Sequence, residues 1–189
     1  MRTFIAVPLP PECQKLLSEL QSEMRALDAD VRWTAVPSIH LTLKFLGEID
    51  PGILPGLSAA LRSATASSPS FGLSLRGLGG FPNLRNPRVI WCGVEGEAYK
   101  LSEVQKMVEQ TCASFGFEPE AREFHPHLTL GRVQGKRNLH RILDYIRIGS
   151  VLEQSFDVDR YHLYRSVLTP RGANYSILDT IELIRKPAV

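Results

Sequence analysis

Ile39-His40-Leu41-Thr42-Leu43-Lys44-Phe45 and Pro126-His127-Leu128-Thr129-Leu130-Gly131 are the two stretches on which the fold turns. In each, apolar and polar residues alternate, the period of a half-buried strand. The period places histidine and threonine on one face and both leucines on the other. The leucines can then pack inward and leave an imidazole and a hydroxyl together on the open face.

Working outward, each of these strands is preceded by the same order of elements. Thr3 to Val7 is a short β-rich run that ends at Pro8 and Pro10, followed by Leu16, Leu17, Leu20, Met24 and Leu27 at helical spacing. Arg88 to Val94 reads as a strand, and Tyr99 to Phe115 carries Leu101, Val104, Met107, Val108 and Cys112 on one helical face. Ile5 to His40 spans 35 positions and Ile90 to His127 spans 37, so the unit recurs at nearly equal spacing and predicts an internal duplication. Further strands are expected at Phe71 to Leu75, Val158 to Val167 and Tyr175 to Ile184, with a hairpin turn at Thr169-Pro170-Arg171-Gly172. Ser63 to Ser70 and Gly77 to Pro87 read as linker and loop. The expectation is an α+β plan in which each half is a small sheet backed by a helix.

If the halves meet about a pseudo-twofold axis, His40, Thr42, His127 and Thr129 converge from opposite sides of one cleft. That constellation suits in-line displacement at phosphorus, where nucleophile and leaving group each need a proton-transfer group. Imidazole titrates near neutrality and serves either role, while threonine hydroxyls can donate to non-bridging oxygens. Lys44 shares the His40 face on strict alternation and is expected to help neutralise a phosphate. A single histidine on a strand is more often structural; recurrence of the same tetrapeptide in two similar units favours the catalytic reading.

Other chemistries find less support. Neither motif brings a carboxylate or cysteine beside its histidine, so no metal site is expected, and His125 is read as capping the strand entrance. The chain lacks G-x-S-x-G and a Walker-type loop. Cys13, Cys92 and Cys112 form no C-x-x-C pair and leave an odd count, which argues for a reducing compartment. The apolar run from Phe4 to Leu9 is too short for a signal peptide, so a soluble cytoplasmic protein without a membrane partner is expected. The net charge of +2 imposes no global field, but Arg122, Arg132, Lys136, Arg137, Arg141 and Arg147 outnumber nearby acids, as suits a phosphate-bearing ligand.

Arg32-Trp33 and His40 to Gly47 resemble the first motif region of the 2H phosphoesterases, and more narrowly of the RNA 2′,3′-cyclic phosphodiesterases, also called 2′-5′ RNA ligases. Gly77 to Pro82 with Pro87 to Trp91, Phe124 to Leu130, and Leu163 to Ser166 with Pro170, Gly172 and Tyr175 continue the likeness. The resemblance implies one domain over 1–189 built from two pseudo-symmetric lobes around a central cleft. It implies that His40 is the proton donor and His127 the proton acceptor, with no cofactor. It also implies that Thr42 and Thr129 contact the phosphate and that Arg132 assists, although strict alternation puts Arg132 on the leucine face. Trp33, Phe45, Phe81 and Tyr164 are candidates to stack on a base, more readily read as core.

The leading expectation is hydrolysis of an RNA-terminal 2′,3′-cyclic phosphate to a 2′-phosphate by a monomer, with 2′-5′ ligation as the reverse reaction. The alternatives are a cyclic phosphodiesterase of a small nucleotide such as an ADP-ribose cyclic phosphate, and a non-catalytic module that binds RNA 3′ ends.

Overall fold

The computed structural model describes residues 1–149, 153–169 and 172–185. The chain runs β1 (Arg2–Val7), α1 (Pro11–Arg25), β2 (Val31–Trp33), a 3₁₀ turn (Val36–Ser38), β3 (Leu41–Glu48), α2 (Leu54–Ala64), β4 (Phe71–Phe81) and β5 (Val89–Gly96). It continues through α3 (Ala98–Ser114), β6 (His127–Val133), α4 (Leu139–Ile148), β7 (Gln154–Val158), β8 (Arg160–Thr169) and β9 (Gly172–Glu182). Two antiparallel sheets result, ordered β3-β1-β8-β9 and β2-β6-β5-β4-β7. The α+β plan with two sheets backed by helices is the expected one.

The helices, however, are exchanged between the halves. After β1 the chain leaves the first sheet, and β2 pairs with β6 at the edge of the second. This crossing carries α1 onto the second sheet, where it packs against β7. Conversely, α3 follows β5 of the second sheet but packs across β3 of the first, and α2 lies between α3 and β9. The expectation that each sheet keeps its own helix is therefore corrected. Periodicity shows that α1 and α3 each have one apolar face, but not which sheet covers it; the three residues of β2 decide that by their pairing. One consequence is a shared interior, in which Leu17 and Met24 of α1, Leu41 and Leu43 of β3, and Leu128 and Leu130 of β6 belong to a single buried cluster.

Two helices, α2 and α4, are additional to the expected elements, and the expected loop from Gly77 is strand as far as Phe81. An irregularity between Leu75 and Leu78 lets β4 continue, with Gly77 taking a φ of +73° that other residues adopt only under strain. The strand expected from Val158 begins at Arg160, after Asp159. Pro170 and Arg171 of the expected hairpin turn lie outside the described residues. Among the described residues no helix is long and apolar enough to cross a membrane.

Candidate active site

The site is built by one device used twice. Opposite β1, Ala6 pairs with Thr42 but Ile5 pairs with Lys44, so Leu43 is an extra residue. Opposite β5, Trp91 pairs with Thr129 but Ile90 pairs with Gly131, so Leu130 is the extra residue. Both are β-bulges at the fourth position of His-Leu-Thr-Leu. A bulge resets the alternation of faces beyond it. The residue that follows turns inward, and the one after that returns to the open face.

This reset overturns the sequence expectation for Lys44. Paired with the buried Ile5, it turns inward and is only 6% exposed. Its Nζ donates to Glu109 Oε2 of α3 at 2.7 Å and to the Glu118 carbonyl at 2.7 Å. The ammonium is thus a buried link between β3, α3 and the segment leading to His127, and it is spent on those partners rather than on a phosphate. In the second sheet the same position is Gly131, where a Cβ would lie 2.7 Å from Val31 Cγ1 and 3.1 Å from Trp33 Cε3.

The same reset corrects the placement of Arg132. Strict alternation puts it with the leucines; the bulge at Leu130 returns it to the face of His127 and Thr129, and the Arg32 with which it pairs shares that face. Arg132 is exposed; burial pushes the Tyr175 hydroxyl pKa up on the opposite sheet, and the charges of Arg2 and then Arg132 oppose that shift. Tyr175 in turn packs edge-on to His40, with ring centroids 5.3 Å apart. Contacts between β3 and β6 also join the two motif strands.

The two imidazoles are held alike. His40 Nδ1 lies 2.9 Å from the Ser38 carbonyl, and His127 Nδ1 lies 2.7 Å from the His125 carbonyl. A carbonyl can only accept, so each Nδ1 carries the proton and donates it, and the lone pair of the neutral ring sits on Nε2, facing away from the backbone. His40 precedes β3 by one residue, whereas His127 is the first residue of β6. The contribution of His125 is its carbonyl; its own side chain is exposed, 3.8 Å from Glu123.

Their surroundings differ. His40 stacks on Phe4 at 4.6 Å, and Tyr164 packs against both rings, 5.0 Å from Phe4 and 6.2 Å from His40. Burial pushes the His40 pKa down from 6.5 to about 4, a shift that the Ser38 carbonyl opposes. His127 meets Phe81 edge-on at 4.8 Å and lines a cavity of about 470 Å³ with Phe81, Trp91 and Gly93. Trp91 lies across Gly79, where a Cβ would approach its ring to 2.2 Å. Among the described residues its Nε1 is the buried side-chain nitrogen that lacks a hydrogen-bond partner.

Thr42 and Thr129 both precede their bulges and are half-buried on the open faces. Phe4 joins the site without a signal in the sequence, where it reads as an ordinary apolar strand position; Trp91 and Tyr175 fall in the stretches that carry the family likeness, without a role attached to them there. Of the aromatic candidates, Phe81 and Tyr164 belong to the surroundings of the imidazoles, and Phe45 is 67% exposed beside Phe4. Trp33 lies on the far face, under Arg25. The basic segment is largely a solvated surface, with Arg122, Arg137 and Arg147 paired to Glu120, Asp28 and Asp144. Among the described residues no three His, Cys, Asp or Glu side chains gather as metal ligands would.

Comparison with known proteins decides the family. The model of the LigT-like phosphoesterases matches residues 7–91 and 93–175. The chain belongs to this family. Among the LigT-like phosphoesterases it is 35% identical over 184 residues to the RNA 2′,3′-cyclic phosphodiesterase of Methanothermobacter thermautotrophicus, covering 97% of this chain and 99% of that one. It is 36% identical over 163 residues to the protein of the same name from Aeropyrum pernix, covering 86% and 92%. In three dimensions it is similar to TT0787 of Thermus thermophilus, with a TM-score of 0.83 and 28% identity over 97% of this chain and 98% of that chain. It is also similar to E. coli LigT complexed with 3′-AMP, with a TM-score of 0.76 and 26% identity over 96% and 97%. Both motifs fall within the segments that the LigT-like model matches.

Proposed function

We propose that this LigT-like phosphoesterase hydrolyses the 2′,3′-cyclic phosphate at an RNA end to a 2′-phosphate, with His40 as general acid and His127 as general base. The observation that carries the reading is the pair of tethers: two imidazoles, each fixed by Nδ1 to the carbonyl two residues upstream, each with Nε2 turned away from the backbone. Such fixing removes the rotational freedom that a proton-transfer group must otherwise lose in the transition state. The relatives are named for activity on RNA 2′,3′-cyclic phosphates, and 3′-AMP is the ligand of one structural neighbour.

In the reaction, water attacks phosphorus as His127 Nε2 takes its proton. The bond from phosphorus to O3′ breaks in line, and His40 Nε2–H protonates the departing oxygen. The burial that holds His40 neutral in the free enzyme is offset when an anionic phosphate arrives, because a negative charge beside the ring favours its protonated form. Substrate binding therefore draws in the proton that catalysis spends. Thr42, Thr129 and Arg132 lie on the open faces, where hydroxyls and a guanidinium can stabilise the charge on the non-bridging oxygens. No step requires a metal, and the chain acts as a monomer in this scheme.

The test is incubation with 2′,3′-cyclic AMP in excess EDTA. The reading predicts turnover to the 2′-phosphate. Absence of turnover, or turnover that returns only with a divalent ion, would contradict it.

A further inference from the structure

We infer that Gln21 is a positioning residue of this site: one amide on α1 locks the bulge that turns Arg132 toward the phosphate. Gln21 lies on the face of α1 that packs on the second sheet and is only 3% exposed. Its Nε2 donates to the Thr34 carbonyl at 2.8 Å and to the Leu130 carbonyl at 2.9 Å. Both partners can only accept, so the orientation of the amide is fixed and both its hydrogens are used.

Leu130 is the bulged residue of β6, and it has no paired partner in β5. Its carbonyl also accepts from Thr34 N at 2.9 Å, so the two bonds occupy both lone pairs from the β2 side. The register of Gly131 and Arg132 against β5 depends on this residue staying looped out. If Leu130 slipped into the ladder, Arg132 would turn to the interior face, which Val31 and Trp33 already fill beside Gly131. Leu130 is fully buried, so water cannot replace the amide there. The other bond goes to Thr34, whose own N–H donates to the same Leu130 carbonyl, so both bonds of the amide bear on the bulge. A polar side chain on the apolar face of α1 is thus explained by the backbone it organises.

The inference rests on the proposed role of Arg132 at the phosphate, and the experiment separates the two. kcat and KM for 2′,3′-cyclic AMP are measured per folded molecule, well below the unfolding temperature, for Gln21→Met, Arg132→Ala and the double variant. Gln21→Met keeps the length and loses both donors; Gln21→Asn is too short to reach both carbonyls and serves should the first not fold. Either is expected to lower kcat/KM about 10- to 100-fold, the scale on which misplacing a charged group by an ångström acts. In the Arg132→Ala background the same substitution is expected to cost less than about threefold, because it acts through the arginine. Multiplicative losses in the double variant, or unchanged activity in Gln21→Met and Gln21→Asn, would overturn the role of Gln21. Unchanged activity in Arg132→Ala would overturn both that role and the assignment of Arg132.

Discussion

The two motif strands share a tether and a bulge but differ in what the bulge presents. Beyond Leu43 the inward position is Lys44 and the outward one Phe45; beyond Leu130 they are Gly131 and Arg132. On the first sheet the open face is aromatic, with Phe4, Tyr164 and Tyr175 around His40. On the second it is glycine-rich and basic, with Trp91 lying across Gly79 and Arg132 nearby in the register. The two motif strands thus hold two imidazoles by like tethers, and the unequal surroundings make them chemically distinct.

The largest effect expected from this comparison is on stability. Lys44→Met leaves Glu109 facing the interior without its cation, and breaking a buried pair from one side costs about 3–5 kcal/mol. Denaturant unfolding of this variant and of a Lys44→Met/Glu109→Gln variant should show the second recovering much of the loss. A Lys44→Met variant of wild-type stability would mean that the lysine is not the buried link described. Next in size, Thr42→Ala and Thr129→Ala occupy equivalent positions and should each lower kcat about 10- to 100-fold while changing KM little, as for donors aimed at developing charge. Widely unequal losses would show that the two strands do not share the phosphate evenly.

The most gradual effect is a dependence of stability on pH. His40 is held near a pKa of about 4 in the folded chain against 6.5 ordinarily, so between those values the unfolded chain binds more protons. Stability from this group is full above about pH 6.5 and falls as the pH drops toward 4, by about 3 kcal/mol. The pKa of His162 is lowered in the same direction, chiefly by burial, and adds to the slope. His40→Gln should flatten the profile in that window. Unfolding curves whose midpoint ignores pH there, or a slope unchanged in His40→Gln, would contradict the burial assigned to His40.

Much of this is legible in the sequence because strand and helix periods are local. The His-Leu-Thr-Leu repeat announces both motif strands, and the spacing of Leu17, Leu20 and Met24 announces α1. What escapes is non-local. Strict alternation assigns Lys44 to the cleft and Arg132 to the interior, and both assignments reverse because one residue in each strand loops out of the ladder. A bulge is set by the partner strand, and nothing within Leu41 to Phe45 records it. Likewise the apolar face of α1 can be seen, whereas its cover by the second sheet depends on the pairing of Val31–Trp33 with β6. Helix α2 begins Leu54-Pro55-Gly56, and glycine and proline there obscure it as a helix.

The central claim, that one imidazole donates and the other accepts, is tested most directly by changing the leaving group. A ribose alkoxide needs a proton to depart, whereas an aryl oxide such as p-nitrophenolate does not. His40→Ala should lose about 10²- to 10⁴-fold on 2′,3′-cyclic AMP and recover most of that loss on an activated aryl phosphodiester. His127→Ala should be impaired on both, since the attacking water still needs a base. Recovery in His127→Ala with none in His40→Ala would reverse the roles, and equal impairment of both variants on both substrates would contradict the division of labour altogether.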